Sequence, residues 1–460
     1  MNQLTLIVLV LVVYMGAMLL IGWLGRSKSD NFDEYVTAAK KGSFLLVCGS
    51  YIGSHIGNGV VVGGAQNGVV YGLAGVWFGL GACLSYLVYA VVMAKRMKRE
   101  DCLTLSEVID KNYGGRACGT IYAVINCGAA ISIMAGQIVA GKNLFEYLGL
   151  NPVVGAVLCA VVVFIYASMS GQWGVMMTDV IQVGVIFTCT LIAFAYMFAN
   201  GAFDVMHATL DASEWGLFNA DPEAIVMNAV PGMLYGLVSC ASFQRNTSAK
   251  DEKTAFNSAL WGGIILLPYV VLPVLMGMYG KALFPETPSG MILFKVMMEA
   301  FPPFIGALMI ASLMAAVMST VDSQLIYVTA SVTKDIYCQF INKNASQSHL
   351  AKLGKVITIA VGLVTLYVAL GATMITSMLS YAYTFLCAGT LVMVVGGIFW
   401  KKATKSGAIA SSVVGIFFVV LYKFCGVTLP FASIFPILPS LIAFVIVSLL
   451  TQPKDQVQKA

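Results

Sequence analysis

The sequence predicts an all-α polytopic membrane protein of about thirteen transmembrane helices, with two inverted five-helix repeats whose first helices are broken. Three observations predict it. The 460 residues are 59% hydrophobic and only 10% charged, with a mean hydropathy of +0.88, far from a soluble globular chain. Apolar stretches near or above the ~20 residues needed to cross a bilayer recur along the whole length. They are continuous rather than alternating, which argues against a β-barrel. Two of them carry glycine or proline interruptions at matching positions of two halves, the pattern of a site at the bilayer midplane.

Taken in order, the expected spans lie near residues 3–24, 43–70, 74–94, 117–143, 152–170, 175–199, 224–243, 257–279, 301–333, 354–374, 379–400, 407–424 and 431–450. The first is too long for a simple cleaved signal peptide and lacks a small-residue cleavage site before the next polar loop. Residues 1–42 form an extra N-terminal helix and loop. Residues 43–199 form the first repeat, 200–223 an external loop, and 224–400 the second repeat. Residues 401–460 form two more helices and a short cytoplasmic tail. That tail, from Thr451-Gln452-Pro453-Lys454, leaves no expectation of an appended signalling domain.

Lysine and arginine set the orientation. With the N-terminus outside, the cytoplasmic loops hold Arg26, Lys28, Lys40, Lys41, the Lys95-Arg96-Met97-Lys98-Arg99 cluster, Arg245, Lys250 and Lys253. The later inner segments add lysines through Lys454 and Lys459. Of the 26 basic residues, only Lys142, Lys281, Lys295 and Lys423 fall at or near the outside. The positive-inside rule therefore places the C-terminus in the cytoplasm, and the odd span count agrees. A bacterial-type plasma membrane is the expected location.

The second span carries Gly53, Gly57, Gly59, Gly63 and Gly64, interleaved with Ser54, His55 and Asn58. A break over 53–59 is expected, because unwound backbone at membrane depth must line a cavity or bind something. Gly63 and Gly64 read instead as close-packing positions. The seventh span begins Pro231-Gly232 and carries Gly236, Ser239 and Ser242. It is the second broken span.

The run Ala315-Ala316-Val317-Met318-Ser319-Thr320-Val321-Asp322-Ser323-Gln324 puts hydroxyls and a carboxylate into an otherwise apolar span. Polar groups at that depth face a cavity, a partner or an ion. Ala316, Ser319 and Thr320 stand at i, i+3 and i+4, on one helical face. Converging neutral oxygens suit a weakly bound monovalent cation such as Na⁺. The competing reading is that the hydroxyls bond back to their own helix.

The eleven cysteines fall mostly in apolar segments and form no CxxC pair, so they read as small buried hydrophobes. Three histidines without metal-ligand spacing speak against zinc chemistry. No nucleophile–base pair or phosphate loop supports an enzyme. The net charge of +5 follows membrane topology rather than a nucleic-acid surface.

Five stretches together carry a family likeness: Ser50-Tyr51-Ile52-Gly53-Ser54-His55-Ile56-Gly57; Ser170 through Gln182; Gln244-Arg245-Asn246-Thr247-Ser248-Ala249-Lys250-Asp251; Ser319-Thr320-Val321-Asp322-Ser323; and Phe399 through Ala408. In this order, over nearly the whole chain, they resemble the sodium:solute symporter family. The resemblance implies a sodium site of carbonyls at the break of the second span, here Gly53 and Ile56, with the Ala316 carbonyl and the Ser319 and Thr320 hydroxyls. Some family members have a second sodium site, which carries onto Asp179 and Ser323. Asp179 reads equally as a cap or loop residue facing cytosol. Asp322 reads as a residue that tunes sodium release or pairs with cytoplasmic loops, not as a ligand.

Sugar-transporting relatives use acid and amide side chains where this chain has Gly59 and Val60, which argues against a sugar. His55 and Asn58 are the candidate polar readers of the pocket. Tyr235 matches an inner-gate aromatic. Tyr381, Tyr383 and Phe385 either close the outer side of the pocket or form an interfacial belt, with one of them expected as a gate. The implied function is sodium-coupled symport of a small polar solute, an amino acid or monocarboxylate, by alternating access. The alternatives are a proton-coupled transporter on the same fold with His55 titrating, and a solute sensor or channel-like protein. The implied partners are Na⁺, a small-molecule solute and the lipid bilayer, with no organic cofactor and no nucleic acid.

Overall fold

The computed structural model describes residues 3–26, 31–372, 375–428 and 430–452. The orientation expected from Lys28, Lys454 and Lys459 lies outside the described residues. Helix dominates from end to end. The principal helices are α1 (Gln3–Gly25), α2 (Phe44–His55), α3 (Asn58–Tyr71), α4 (Val76–Tyr89), α5 (Leu105–Tyr113), α6 (Ala117–Tyr147) and α7 (Pro152–Ala199). They continue with α8 (Pro222–Val238), α9 (Cys240–Ser248), α10 (Glu252–Tyr269), α11 (Val271–Leu283), α12 (Pro303–Ala330), α13 (Gln347–Gly371), α14 (Ile375–Phe399), α15 (Lys405–Phe424) and α16 (Ile437–Leu450).

Among the described residues, nine helical runs are long and apolar enough to cross a membrane, or ten when α8 and α9 are taken as one bent span. Two of those runs turn at glycines with positive φ. Gly72 (φ 59, ψ −140) ends α3, and Gly171 (φ 57, ψ −154) folds α7 into two helices, at the connection expected between residues 170 and 175. The left-handed region is open to glycine at little cost, and at Gly171 a Cβ would stand 2.5 Å from the Tyr35 carbonyl oxygen. Thirteen remains the number expected from the sequence.

Helix α12 is the centre of the bundle. Every residue from Met309 to Ala330 is buried, the condition of a helix surrounded by protein rather than lipid. It packs against both arms of α7, and against α1, α2 and α6. Its polar face is therefore aimed into the protein along its whole length.

Both expected breaks exist. Between α2 and α3, Ile56 and Gly57 leave the helical path (ψ 52 and −175). The second break falls at Ser239, within the seventh expected span. Pro231 sits inside α8 without ending it, and the chain bends by 46° at Ser239. Proline removes one backbone donor but its φ remains helical. Ser239 takes the extended ψ of 124, and its Oγ accepts the Ala241 N–H at 3.1 Å as the cap of α9.

Contacts define two ends of the bundle. At the end where α1 begins, Trp77 Nε1 donates to the Leu217 carbonyl (2.8 Å) and Lys281 pairs with Glu214 (2.7 Å). At the opposite end, Gly42 pairs with Ala249, Lys98 donates to the Thr247 carbonyl (2.8 Å), and Arg99 pairs with Glu252 (2.8 Å). An ion pair thus ties each end.

Candidate functional site

The break after α2 lies directly against the middle of α12. Ser319 Oγ donates to the Gly53 carbonyl (2.8 Å) and stands 3.2 Å from the Ala316 carbonyl. Thr320 Oγ1 lies 3.3 Å from the Ser54 carbonyl and 3.2 Å from that of Ala316. Three carbonyl oxygens and two hydroxyls thus converge from two helices, with no charged group among them. Carbonyls at the C-terminal end of α2 carry the negative end of its dipole, and unwound or terminal carbonyls with hydroxyls are what a sodium ion takes up at such breaks.

Of the expected ligands, Gly53, Ala316, Ser319 and Thr320 are brought together. Ile56, also expected, lies in the break itself (ψ 52), and the carbonyl that Thr320 Oγ1 meets is that of Ser54. Gly57 follows as part of the same contact: a Cβ there would stand 2.5 Å from Thr320 Oγ1. The competing reading of the two hydroxyls is also realised, since both lie in reach of the Ala316 carbonyl on their own helix.

Beside these oxygens lies a small cavity of about 40 Å³, bordered by His55, Gln137, Tyr235, Thr320 and Gln324 on the polar side and by Phe78, Leu379 and Tyr383 on the apolar side. Among the described residues, no Asp, Glu, Lys or Arg lines it. A second cavity of about 260 Å³ shares Gly59, Phe78, Gly232, Leu379 and Tyr383 with it and continues toward Tyr71 and Asn228, at the end where α1 begins. The site thus continues toward that end.

The expected pocket residues divide. His55 lines the cavity, with Nε2 3.3 Å from Ser85 Oγ and its ring 4.1 Å from that of Tyr86. Tyr235 receives Gln324 Nε2 at 3.4 Å and packs on Tyr383 (4.7 Å between ring centres). Tyr383 borders both cavities, as does Phe78. Tyr381 and Phe385 do not reach the pocket. Both pack toward Phe424 on α15, because α14 turns that face outward, and Lys423 Nζ lies 4.9 Å from the Tyr381 ring. The side chain of Asn58 lies outside the described residues. Gln324 was legible as the next turn of the Thr320 face; Gln137 and Phe78 carried no signal in their own segments.

One turn along α12 the character changes. Arg245, expected in a cytoplasmic loop, is completely buried on α9. Its Nε donates to the Ser50 carbonyl (2.8 Å), Nη1 to that of Ala241 (3.1 Å) and Nη2 to Ser323 Oγ (2.6 Å). Nη2 also lies 3.7 Å from Asp179 Oδ2, whose other neighbour is Ser50 Oγ at 2.5 Å. Asp179 is therefore neither a cap nor exposed to cytosol. A buried arginine is retained only with such partners. Asp322 is likewise buried and reaches no loop: it accepts from Tyr166 (2.6 Å) and lies 3.4 Å from Thr178 Oγ1.

Comparison with known proteins follows this geometry. The model of the sodium:solute symporter family matches residues 35–415. The high-affinity proline transporter PutP of Bacillus subtilis is 26% identical over 95% of this chain and 97% of its own. The sodium/pantothenate symporter of Haemophilus influenzae is 25% identical over 95% and 94%. Among solved structures, a substrate-bound, outward-open Na⁺-coupled sialic acid symporter superposes with a TM-score of 0.83 at 18% identity, covering 97% of this chain and 98% of that one, and so shares the fold.

Proposed function

This chain belongs to the sodium:solute symporter family, and from that membership we propose that it carries a small carboxylate-bearing solute, an amino acid or monocarboxylate, together with one sodium ion. It is a multi-pass, sodium-coupled transporter of the cell membrane and not an enzyme. The observation that carries the sodium assignment is the bridge from Ser319 and Thr320 to the Gly53 and Ser54 carbonyls. Sodium held there joins the broken span to α12, and an ion shifts a conformational equilibrium only by binding one state better than the other.

The solute assignment rests on the cavity. Its walls offer amide, hydroxyl and imidazole groups against an apolar side, with no fixed charge. A carboxylate finds favourable charge at the N-terminus of α3 and beside the sodium. Relatives named for proline and pantothenate carry that same group. Gly59 and Val60 in place of hydrogen-bonding side chains disfavour a sugar.

The guanidinium of Arg245 supports a stoichiometry of one. It contacts both Asp179 and Ser323, the pair expected for a second sodium. A further cation about 4 Å from it would meet repulsion of about 4 kcal/mol at an effective dielectric of 20. One ion suffices for uptake: 100 mV contributes about 2.3 kcal/mol and a tenfold sodium gradient about 1.4 kcal/mol. With Arg245 removed from the loop charges, the remaining lysines and arginines still favour the N-terminus outside and the C-terminus in the cytoplasm.

The test is uptake of radiolabelled proline and of short monocarboxylates into proteoliposomes, in sodium and in choline. Sodium-dependent accumulation of either class supports the reading. Accumulation driven by a pH gradient without sodium would replace it with proton coupling.

A further inference from the structure

The stretch Phe399-Trp400-Lys401-Lys402 serves neither the sodium face nor the solute cavity. It stands at one end of an apolar groove of about 550 Å³ between α8, α14 and α16. Leu234 and Leu237 of α8, Val395 and Phe399 of α14, and Leu441 and Phe444 of α16 border the groove, and among the described residues no charged side chain does. Phe399 and Leu441 are exposed, so the groove opens on the outer surface of the bundle. Trp400 lies at its end, its ring 5.4 Å from that of Phe444, as an aromatic does at a membrane–water boundary.

Positive charge gathers at that same end. Lys401 and Lys402 follow Trp400 directly and are exposed. The basic cluster of residues 95–99 divides among different neighbours. Lys95 lies over the Phe256 ring (4.8 Å), Lys98 donates to the Thr247 carbonyl (2.8 Å) and Arg99 pairs with Glu252 (2.8 Å). Arg96 turns instead to α14, with its guanidinium carbon 5.3 Å from the centre of the Phe399 ring. Among the described residues, Arg96, Lys401 and Lys402 form no ion pair.

The two halves of this feature do different work. Hydrocarbon gains little by leaving the bilayer for an apolar groove, so the groove fixes where a chain lies rather than how tightly it is held. The cations supply the affinity, each favouring an anionic headgroup about fivefold. An apolar channel that ends in a tryptophan and three such cations fits one ligand chemistry, a phospholipid with a negatively charged headgroup. We propose that the groove between α8, α14 and α16 holds an acyl chain of an anionic phospholipid, with its phosphate on Arg96, Lys401 and Lys402. The lipid then lies along the helix that carries Tyr235: that residue lines the solute cavity, and Leu234 and Leu237 line the groove. In the orientation proposed above, the lipid belongs to the cytoplasmic leaflet. Only the leaflet rests on that reading.

Native mass spectrometry of the purified full-length chain tests it, without sodium or solute, with phosphatidylglycerol and phosphatidylcholine of the same chains offered in equal amounts. Wild type is expected to retain one phosphatidylglycerol at least tenfold in preference to phosphatidylcholine. Arg96→Gln/Lys401→Gln/Lys402→Gln is expected to lose that preference, and Lys95→Gln to keep it. Arg96→Gln alone, at an exposed position, guards against a folding defect and is expected to weaken the preference about fivefold. Leu441→Trp, which fills the groove and leaves the charges in place, is expected to release the lipid. Equal retention of the two lipids by wild type overturns the proposal, as does an unchanged preference in the triple variant or unchanged retention in Leu441→Trp. Displacement of the lipid by inorganic phosphate would show a free-anion site, and a lipid-free dimer would show an interface between copies of this chain; either result overturns it. Sodium-dependent uptake is a separate measurement, so each of these outcomes leaves the transport reading intact.

Discussion

Ser319 Oγ donates to the carbonyl of Gly53 across 2.8 Å, joining the break of the first repeat to the central helix of the bundle. These two residues are 266 positions apart in sequence. Their contact fixes α2 against α12 at the one depth where two hydroxyls and three carbonyls meet.

Removing both hydroxyls, in Ser319→Ala with Thr320→Ala, is expected to raise the half-saturating sodium concentration for uptake at least tenfold, or about 1.4 kcal/mol, with the protein still folded. Initial uptake rates across a sodium series give the answer. Unchanged sodium dependence would remove this face from the ion's path.

Gly57→Ala is expected to act on the same parameter by sterics alone. The backbone there is extended (φ −84, ψ −175), which any residue adopts, but the new Cβ would meet Thr320 Oγ1 at 2.5 Å. Sodium titration of the variant should shift as in Thr320→Ala, while Gly290→Ala, where a Cβ meets nothing within 4 Å, should match wild type.

The aromatics of α14 offer an internal control. Tyr383→Ala opens the boundary between the two cavities and is expected to raise the KM for solute severalfold. Tyr381→Ala, on the α15 side, should leave KM unchanged. Equal effects in the two variants would remove Tyr383 from its gating role.

Arg245→Gln strands Asp179 in the protein interior. Loss of one member of a buried pair costs about 3–5 kcal/mol, so a large fall in thermal stability is expected. Adding Asp179→Asn should restore part of it. A fully additive double variant, measured as a cycle, would show that the two side chains do not interact.

Acid sensitivity separates surface from interior. Asp101, outside the membrane-spanning helices, is bonded to Lys40, which holds its carboxyl below the usual carboxylate range. With a folded pKa below the unfolded one, this pair's contribution is full above about pH 4 and is lost as pH falls through the lower folded value. Asp101→Asn is therefore expected to leave the pH profile of uptake unchanged between about pH 5 and 8.

The parts that the sequence reveals are those written in local spacing. Ser319 and Thr320 share a face by their i, i+3 and i+4 positions, and the 53–59 break shows as glycine interleaved with His55. The rest depends on partners far away in the chain. Gln244-Arg245-Asn246-Thr247-Ser248-Ala249-Lys250-Asp251 reads as a cytoplasmic loop because nothing nearby announces Asp179 or Ser323 as the company of Arg245. That the Ser54 carbonyl joins that of Gly53 in meeting α12 could not be read locally, since the exact point at which a helix unwinds follows from tertiary contact. Which residue of the seventh span makes its break, Ser239 rather than the helical Pro231, was not legible either. Tyr381 and Tyr383 are equivalent in composition and differ only in which neighbour their helix turns them to.

The position of Arg245 also divides the molecule by what can move. One side chain touches Ser50 on α2, Asp179 on α7, Ala241 on α9 and Ser323 on α12. Drawing any of the four aside unpairs a buried charge. The least demanding rearrangement swings these four segments together, as a single lever, against the helices around them. Arg245 then serves as the pin of that lever, one charge held from four sides.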